Sequence, residues 1–160
     1  MKIYRRPFYK TNTMVILVAM LITFVVLLPV IVKHFYIALG NGIPINYLIK
    51  ISIPFLIILS LLVIFIAVYN SFYIAMSSNG IAIINGIIPF IKKNYGFDDM
   101  IKCEIGNKGG LSFNYFRVTD SNNIKSLPFV IDMIAKEDYK SIINDLRAQG
   151  VEIEIVGSLK

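Results

Sequence analysis

Thr11-Asn-Thr-Met-Val-Ile-Leu-Val-Ala-Met-Leu-Ile-Thr-Phe-Val-Val-Leu-Leu-Pro-Val-Ile-Val32 runs for 22 residues without a Lys, Arg, Asp or Glu. At ~1.5 Å per residue it can cross a hydrocarbon layer of roughly 30 Å. Rich in Val, Ile, Leu and Met, it reads as a transmembrane helix over about residues 13–32. Pro29 falls near the distal end, where a kink or an early stop matters less than at the centre. The competing reading is a secretory signal, for which Lys2, Arg5, Arg6 and Lys10 would form a basic leader. The apolar run is long for that role and no small-x-small cleavage site follows it, so a retained anchor is expected.

Further along, Ile51 to Ile91 is a second stretch without charge, 41 residues long. Its first part, Ile53 to Val68, is densely aliphatic and gives a second membrane helix over about 51–69, with Pro54 expected in the first turn, where a missing N–H costs little. Its second part carries Ser78-Asn79-Gly80, Asn85-Gly86 and Pro89, which interrupt any continuous helix; Asn-Gly between β-branched runs signals a hairpin. Short strands are expected over 71–77, 81–85 and 87–93, the alternative being a third membrane segment within 72–91.

Charge sets the expected topology. Four basic residues precede the first helix, the connection from Lys33 to Lys50 adds those two lysines and His34, and all ten acids follow the second helix together with ten Lys or Arg. The formal net charge of +6 therefore belongs to the segments flanking the membrane. By the positive-inside rule both termini face the cytoplasm and His34 to Ile49 lies outside, while Lys2, Arg5, Arg6 and Lys10 favour anionic headgroups. The interleaved Tyr4, Phe8 and Tyr9 suit an interfacial belt, and no further basic groove points to nucleic acid.

The two helices define a unit over 1–70, and the 90 residues of 71–160 suffice for one small domain with a modest core. Ile101-Lys-Cys-Glu-Ile105 alternates as a strand. Leu111, Phe113 and Tyr115 share a face before apolar parity passes to Phe116 and Val118, which predicts a bulge or bend near Tyr115. Turn compositions occur at Gly106 to Gly110 and Asp120 to Asn123. Ile124 to Ile131 reads as a strand that Pro128 assigns to an edge or an end. Tyr139, Ile142, Ile143 and Leu146 then recur at helical spacing within Lys136 to Gly150, and Val151, Ile153 and Ile155 alternate with Glu152 and Glu154 in a last strand.

Sites of chemistry are few. Cys103 is the single cysteine and alternates into a core, and the single histidine, His34, is expected on the other side of the membrane, so no thiolate nucleophile is indicated. Asp98-Asp99 reads as a turn before a strand rather than as a carboxylate pair. Gly106 to Gly110 lacks the Gly-Lys-Ser/Thr ending of a phosphate loop. Thr23, Ser52 and Ser60 are the polar groups within the helices, with no charge to mark an ion path. No enzyme, cofactor or metal is expected. Lys92 and Lys93, directly after the uncharged hairpin, are further candidates for headgroup contact.

The order of elements resembles that of bacterial membrane proteins carrying a cytoplasmic pleckstrin-homology-like (PH-like) domain. The resemblance is carried by Tyr73-Ile-Ala-Met-Ser-Ser-Asn-Gly-Ile81, Asn85-Gly-Ile87, Tyr95-Gly-Phe-Asp-Asp-Met-Ile101 and the closing helix at Lys136 to Gly150. It implies an α-helical transmembrane hairpin followed by a small α+β domain, a bent antiparallel sheet or partly open barrel closed by one amphipathic helix. It also implies non-enzymatic binding or scaffolding at a bacterial plasma membrane. The uncharged Ser78-Asn79-Gly80 turn argues against phosphoinositide binding. Beyond the bilayer, the expected partner is a protein or a second copy, with Phe129, Val130 and Ile131 or Val151, Ile153 and Ile155 as open strand edges. The alternative reading is a two-span immunity protein or accessory subunit acting through its helices.

Overall fold

A computed structural model describes residues 1–107 and 113–157. The chain opens with strand β1 (Lys2–Tyr4) and one 3-10 turn (Phe8–Lys10), then forms α1 (Asn12–Gly40) and α2 (Ile45–Tyr69). Both helices are long and apolar enough to cross a membrane, and no residue of either apolar window is buried against the rest of the protein. Thr23 and Ser60 return their hydroxyls to the carbonyls of Ala19 and Leu56, one turn back in the same helix.

Both helices outrun the uncharged stretches. The connection expected over His34 to Ile49 is almost wholly helical, because the chain reverses within Asn41 to Pro44. Gly42 supplies a left-handed φ of 78°, and Pro44 leads in extended conformation into the first turn of α2. With 29 and 25 residues the helices measure ~43 and ~38 Å, longer than the hydrocarbon layer alone requires. Pro54 consequently sits in the interior of α2 rather than in its first turn, and its missing N–H leaves the Lys50 carbonyl without the usual helical donor.

After α2 come β2 (Phe72–Met76), β3 (Gly80–Asn85), β4 (Lys92–Gly96), β5 (Met100–Asn107), β6 (Asn114–Asp120), β7 (Phe129–Val130), α3 (Asp138–Ala148) and β8 (Glu152–Val156). Two four-stranded sheets result, in the orders β1-β2-β3-β4 and β7-β6-β5-β8. A bridge between Ser71 and Ile131 ties the start of β2 to the end of β7. Phe116, Ile74, Ile83, Ile105 and Ile131 fill the space between the sheets, and α3 adds Tyr139, Ile142, Ile143 and Leu146, the four residues its periodicity marks. Gly150 ends this helix at a φ of 80°.

Several strand boundaries differ from expectation, each for a local reason. Ile87 to Ile91 is a loop and β4 starts only at Lys92, because the Asn85 carboxamide oxygen accepts from the amides of Ile87 (3.0 Å) and Ile88 (2.9 Å) and folds the chain back. Gly86 is required there, since a Cβ would stand 2.0 Å from the Met133 sulfur. The expected bend near Tyr115 is not found: β6 pairs with β5 in continuous register from Asn107↔Asn114 to Lys102↔Thr119, and the irregularity falls between Met100 and Lys102. Leu111 lies outside the described residues. The strand expected over Ile124 to Ile131 contracts to β7, directly after Pro128. The sheets are not purely antiparallel, because the α3 crossover returns β8 parallel to β5. Two separate sheets, not a closed barrel, make up the domain among the described residues.

The largest departure is β1. Lys2, Ile3 and Tyr4, grouped with the helical hairpin on sequence, pair with Met76, Ala75 and Ile74 of β2, and Tyr4 is buried in the domain core. The chain therefore enters and leaves the hairpin at the same end. Replacing Tyr4 with Ala is expected to destabilise the sheet domain by about 3 kcal/mol, the usual cost of deleting a buried aromatic ring, while the helices keep their content. Thermal unfolding of the detergent-solubilised protein, followed separately by near- and far-ultraviolet dichroism, measures this.

Candidate membrane-facing junction

The residues joining sheet to helices form a polar junction. Asp132 follows the apolar Phe129-Val-Ile131, and its side chain is 2% exposed. One oxygen accepts from the Arg6 guanidinium at 2.9 Å and from the Asn12 amide at 3.3 Å; the other accepts from the Thr13 amide and the Thr13 hydroxyl, both at 2.7 Å. Arg6 Nε donates to the Asp132 carbonyl at 2.8 Å, and the Arg6 amide to the Met133 carbonyl at 2.7 Å. The sheet domain thus delivers a carboxylate to the amino end of α1, where unpaired N–H groups and the helix dipole favour negative charge. Thr11 completes the start of the helix, its hydroxyl oxygen accepting from the Met14 amide at 3.1 Å.

The carboxyl-terminal end of α2, beside the start of α1, is fastened by Asn85, which is fully buried. Its side-chain NH2 donates to the Val68 carbonyl at 2.5 Å, and the Gly86 amide donates to the Ser71 carbonyl at 2.6 Å. The Val68 carbonyl, which also accepts from the Ser71 amide at 3.3 Å, and the Ser71 carbonyl just beyond the helix are thereby tied to the β3–β4 connection.

The basic residues assigned to lipid on sequence divide into two groups. Lys2 pairs with Asp145 on α3 at 2.7 Å and reaches the Ser141 hydroxyl at 3.1 Å, and Arg6 is committed to Asp132. Arg5 lies over the Tyr73 ring, 5.0 Å from its centroid, and Lys10 over Tyr9 at 5.9 Å; both are exposed. Lys92 and Lys93 are exposed at the start of β4, Lys93 5.6 Å from the Tyr95 centroid. Neither enters an ion pair among the described residues.

The candidate partner edges are the two outer strands of the second sheet. Their availability is unequal. Ile131 is buried and its amide donates to the Asn114 carbonyl, while Phe129 packs edge-to-face on Phe72 at 5.4 Å. Val151 is buried and donates its amide to Leu146. Ile153 and Ile155 remain on β8, with Ile155 well exposed, and Lys102 bridges Glu152 (3.2 Å) and Glu154 (3.1 Å) beside them.

The other chemistry-bearing side chains are built into the fold. Cys103 is buried, and burial pushes its thiol up to about 12. Tyr115 donates to Glu104 and is likewise pushed up to about 12, by burial first and by that carboxylate second. Asp98 and Asp99 are exposed in the β4–β5 turn, where the Asp99 carbonyl accepts from the Ser121 amide. Among the described residues no group of three or more His, Cys, Asp or Glu is placed to hold a metal ion.

Sequence reasoning missed Asp132, Arg6 and Asn85 as the elements of the junction. A signal for Asp132 existed: it is the one charge between Lys125 and Lys136 in an otherwise uncharged stretch. No protein-family profile matches the chain, and no curated protein is significantly similar to it.

Asp132→Asn is expected to destabilise the protein by about 3 kcal/mol, because it leaves the Arg6 charge without its partner in a part-buried site. The double replacement Asp132→Leu with Arg6→Leu should cost less than the sum of the single changes. Amide exchange at Asn12 and Thr13, with thermal unfolding, reads both effects. A second expectation concerns pH. The Lys2 ammonium, followed by the Tyr4 hydroxyl, holds the Asp145 carboxyl below the usual carboxylate range, and Lys2 is correspondingly raised. A depressed acid contributes stability at neutral pH that is lost as pH falls through its folded value. Protection of the β1 amides, corrected for intrinsic exchange, should therefore fall on acidification. Asp145→Asn should remove that dependence, and an unchanged profile in this variant would show that the pair does not hold β1.

Proposed function

We propose that this protein is a membrane-anchored, non-enzymatic binding module, whose two helices span a bacterial plasma membrane and hold a PH-like domain against its cytoplasmic face. The observation carrying this reading is that both ends of the apolar hairpin are hydrogen-bonded into the sheet domain, α1 through Asp132 and α2 through Asn85. A flexible tether would only localise such a domain. A fastened one also orients it, so that the same strands face the same way on every copy. The cytoplasmic assignment rests on the basic residues before α1 and on the pairing of β1 with β2, which keeps both flanks on one side.

The surface proposed for the protein partner is the outer edge of β8. It lies at the end of its sheet and its unpaired main-chain groups can accept an added strand, with Ile153 and Ile155 supplying side-chain contact. The competing reading, a hairpin that acts within the membrane as an accessory subunit or immunity factor, is favoured by an apolar groove of about 510 Å³ between α1 and α2, lined by Leu17, Met20, Phe24, Leu56 and Val63.

One experiment separates the two. A photo-cross-linking amino acid is placed at Ile155 on β8, at Leu21 beside the groove, or at Lys140 on α3 as a surface control, in the full chain in its native membrane. Capture of one defined protein from position 155 alone is the expected result, and it should be lost when Ile153 is replaced by Pro in a variant that retains its thermal unfolding transition. Capture from position 21 alone would replace the scaffold reading with the hairpin reading.

A further inference from the structure

The β3–β4 connection presents Ile87-Ile-Pro-Phe-Ile91, five apolar residues in succession, at the surface. Phe90 is 84% exposed, Ile87 41% and Ile91 40%. Such a cluster on a small domain is costly in water and marks a contact surface. It is also held in shape: the Asn85 carboxamide oxygen binds the amides of Ile87 and Ile88, the Asn85 amide donates to the Ile91 carbonyl at 2.9 Å, and the Ile91 amide donates to the Ile88 carbonyl at 2.9 Å.

Its position identifies the occupant. The base of the loop is the residue pair Asn85-Gly86, which bonds to the carbonyls of Val68 and Ser71 on either side of the last residue of α2. At that point Tyr69 stacks on Phe65, 5.7 Å between centroids, and is itself exposed, as aromatic residues are where a membrane helix leaves the hydrocarbon. The apolar surface of α2 is thus continuous with that of the loop, with no charged residue from Ile51 to Ile91. Directly after the loop stand Lys92 and Lys93, exposed and without a carboxylate partner among the described residues.

We propose that Ile87 to Ile91 is a third membrane-contacting element, a loop whose Phe90 and Ile87 side chains enter the interfacial layer of the bilayer while Lys92 and Lys93 meet anionic phospholipid headgroups. The inference rests on the reading of α1 and α2 as membrane-spanning. It adds a point of attachment beside the end of α2 to those of the two helices, which restrains the sheet domain against the membrane surface.

The chain contains no tryptophan, so a single introduced Trp reports its own surroundings. Three full-length variants are reconstituted in vesicles of phosphatidylcholine and phosphatidylglycerol: Phe90→Trp; Ile58→Trp, in the middle of α2; and Leu127→Trp. Leu127 is 83% exposed in the loop between β6 and β7, next to Ser126, whose amide donates to the Val118 carbonyl four residues, or ~13 Å, along β6 from the Asn114 end beside Ile131. Quenching is measured with phosphatidylcholine brominated near the top of its acyl chains or near the chain ends.

The expected result is that Trp emission from position 90 is blue-shifted and quenched most by the shallow bromines, that position 58 is quenched most by the deep ones, and that position 127 is quenched by neither. Adding Lys92→Glu and Lys93→Glu to Phe90→Trp should weaken its quenching without changing that at position 58. Quenching at position 58 with none at position 90 would overturn the inserted loop and leave the spanning helices in place. Absence of quenching at both would overturn the membrane reading and the loop with it.

Discussion

The carboxylate of Asp132 is the group on which the joining of the two halves depends. It is buried, and a buried charge is tolerated only where partners replace the water it has lost. Those partners come from two neighbouring stretches of chain: the guanidinium of Arg6 from the arm after β1, and the amides of Asn12 and Thr13 with the Thr13 hydroxyl from the first turn of α1. β1 can reach its register on β2 because Arg6 is held one turn before the helix, and α1 can start beside the domain because its orphan amides have an acceptor there. The requirement is reciprocal, since the site is satisfied only when sheet, arm and helix are assembled together, which makes the junction a condition of folding as well as a link.

Asn85 does the same work at the other end of the hairpin, with neutral groups. A carboxamide offers donors and an acceptor at once, so one side chain serves the α2 carbonyl on one side and the loop amides on the other. An aspartate could not donate to Val68, and a leucine would take away the acceptor of the Ile87 and Ile88 amides. The two fastenings lie at adjacent ends of antiparallel helices, and the sheet is therefore held at two points rather than hung from one. Orientation of the domain relative to the hairpin follows from hydrogen bonds of fixed direction, which apolar packing alone would not specify as narrowly.

What the sequence made legible was whatever depends on periodicity within one segment. The apolar helices, the face of α3 carrying Tyr139, Ile142, Ile143 and Leu146, the alternation of Ile101, Cys103 and Ile105, and Pro128 as the mark of a sheet edge or strand end are all local patterns, and each has its counterpart in the fold. What stayed hidden depends on partners remote in sequence. β1 has only three residues and pairs across more than seventy positions of chain, so no pattern inside Lys2 to Tyr4 marks it as a strand. The hairpin turn is hidden differently: Gly42 and Pro44 define it, but Lys33 and Lys50 mark charged boundaries inside the helices, where long lysine side chains can extend toward the headgroups. The β-branched residues from Ile87 favour a strand by propensity, whereas the buried Asn85 carboxamide, a tertiary feature, makes a loop of them.

Charge illustrates the same division and changes how the basic excess is read. Counting residues places four positive charges before α1 and treats them alike. In the fold, Lys2 is neutralised by Asp145 and Arg6 by Asp132, while Arg117 faces Glu104 and Lys102 lies between Glu152 and Glu154. The acids that follow the hairpin in sequence are thus spent partly within the domain, on bases from both parts of the chain. The positive charges left over near the helix ends are Arg5, Lys10, Lys92 and Lys93, drawn equally from the arm and from β4. An anionic bilayer would attract this set through proximity to the helices, over a distance comparable to the Debye length of about 8 Å at physiological salt. A charge preference that sequence assigns to one segment is therefore a property of the assembled junction, and it exists only when β1, the hairpin and the β3–β4 connection have come together.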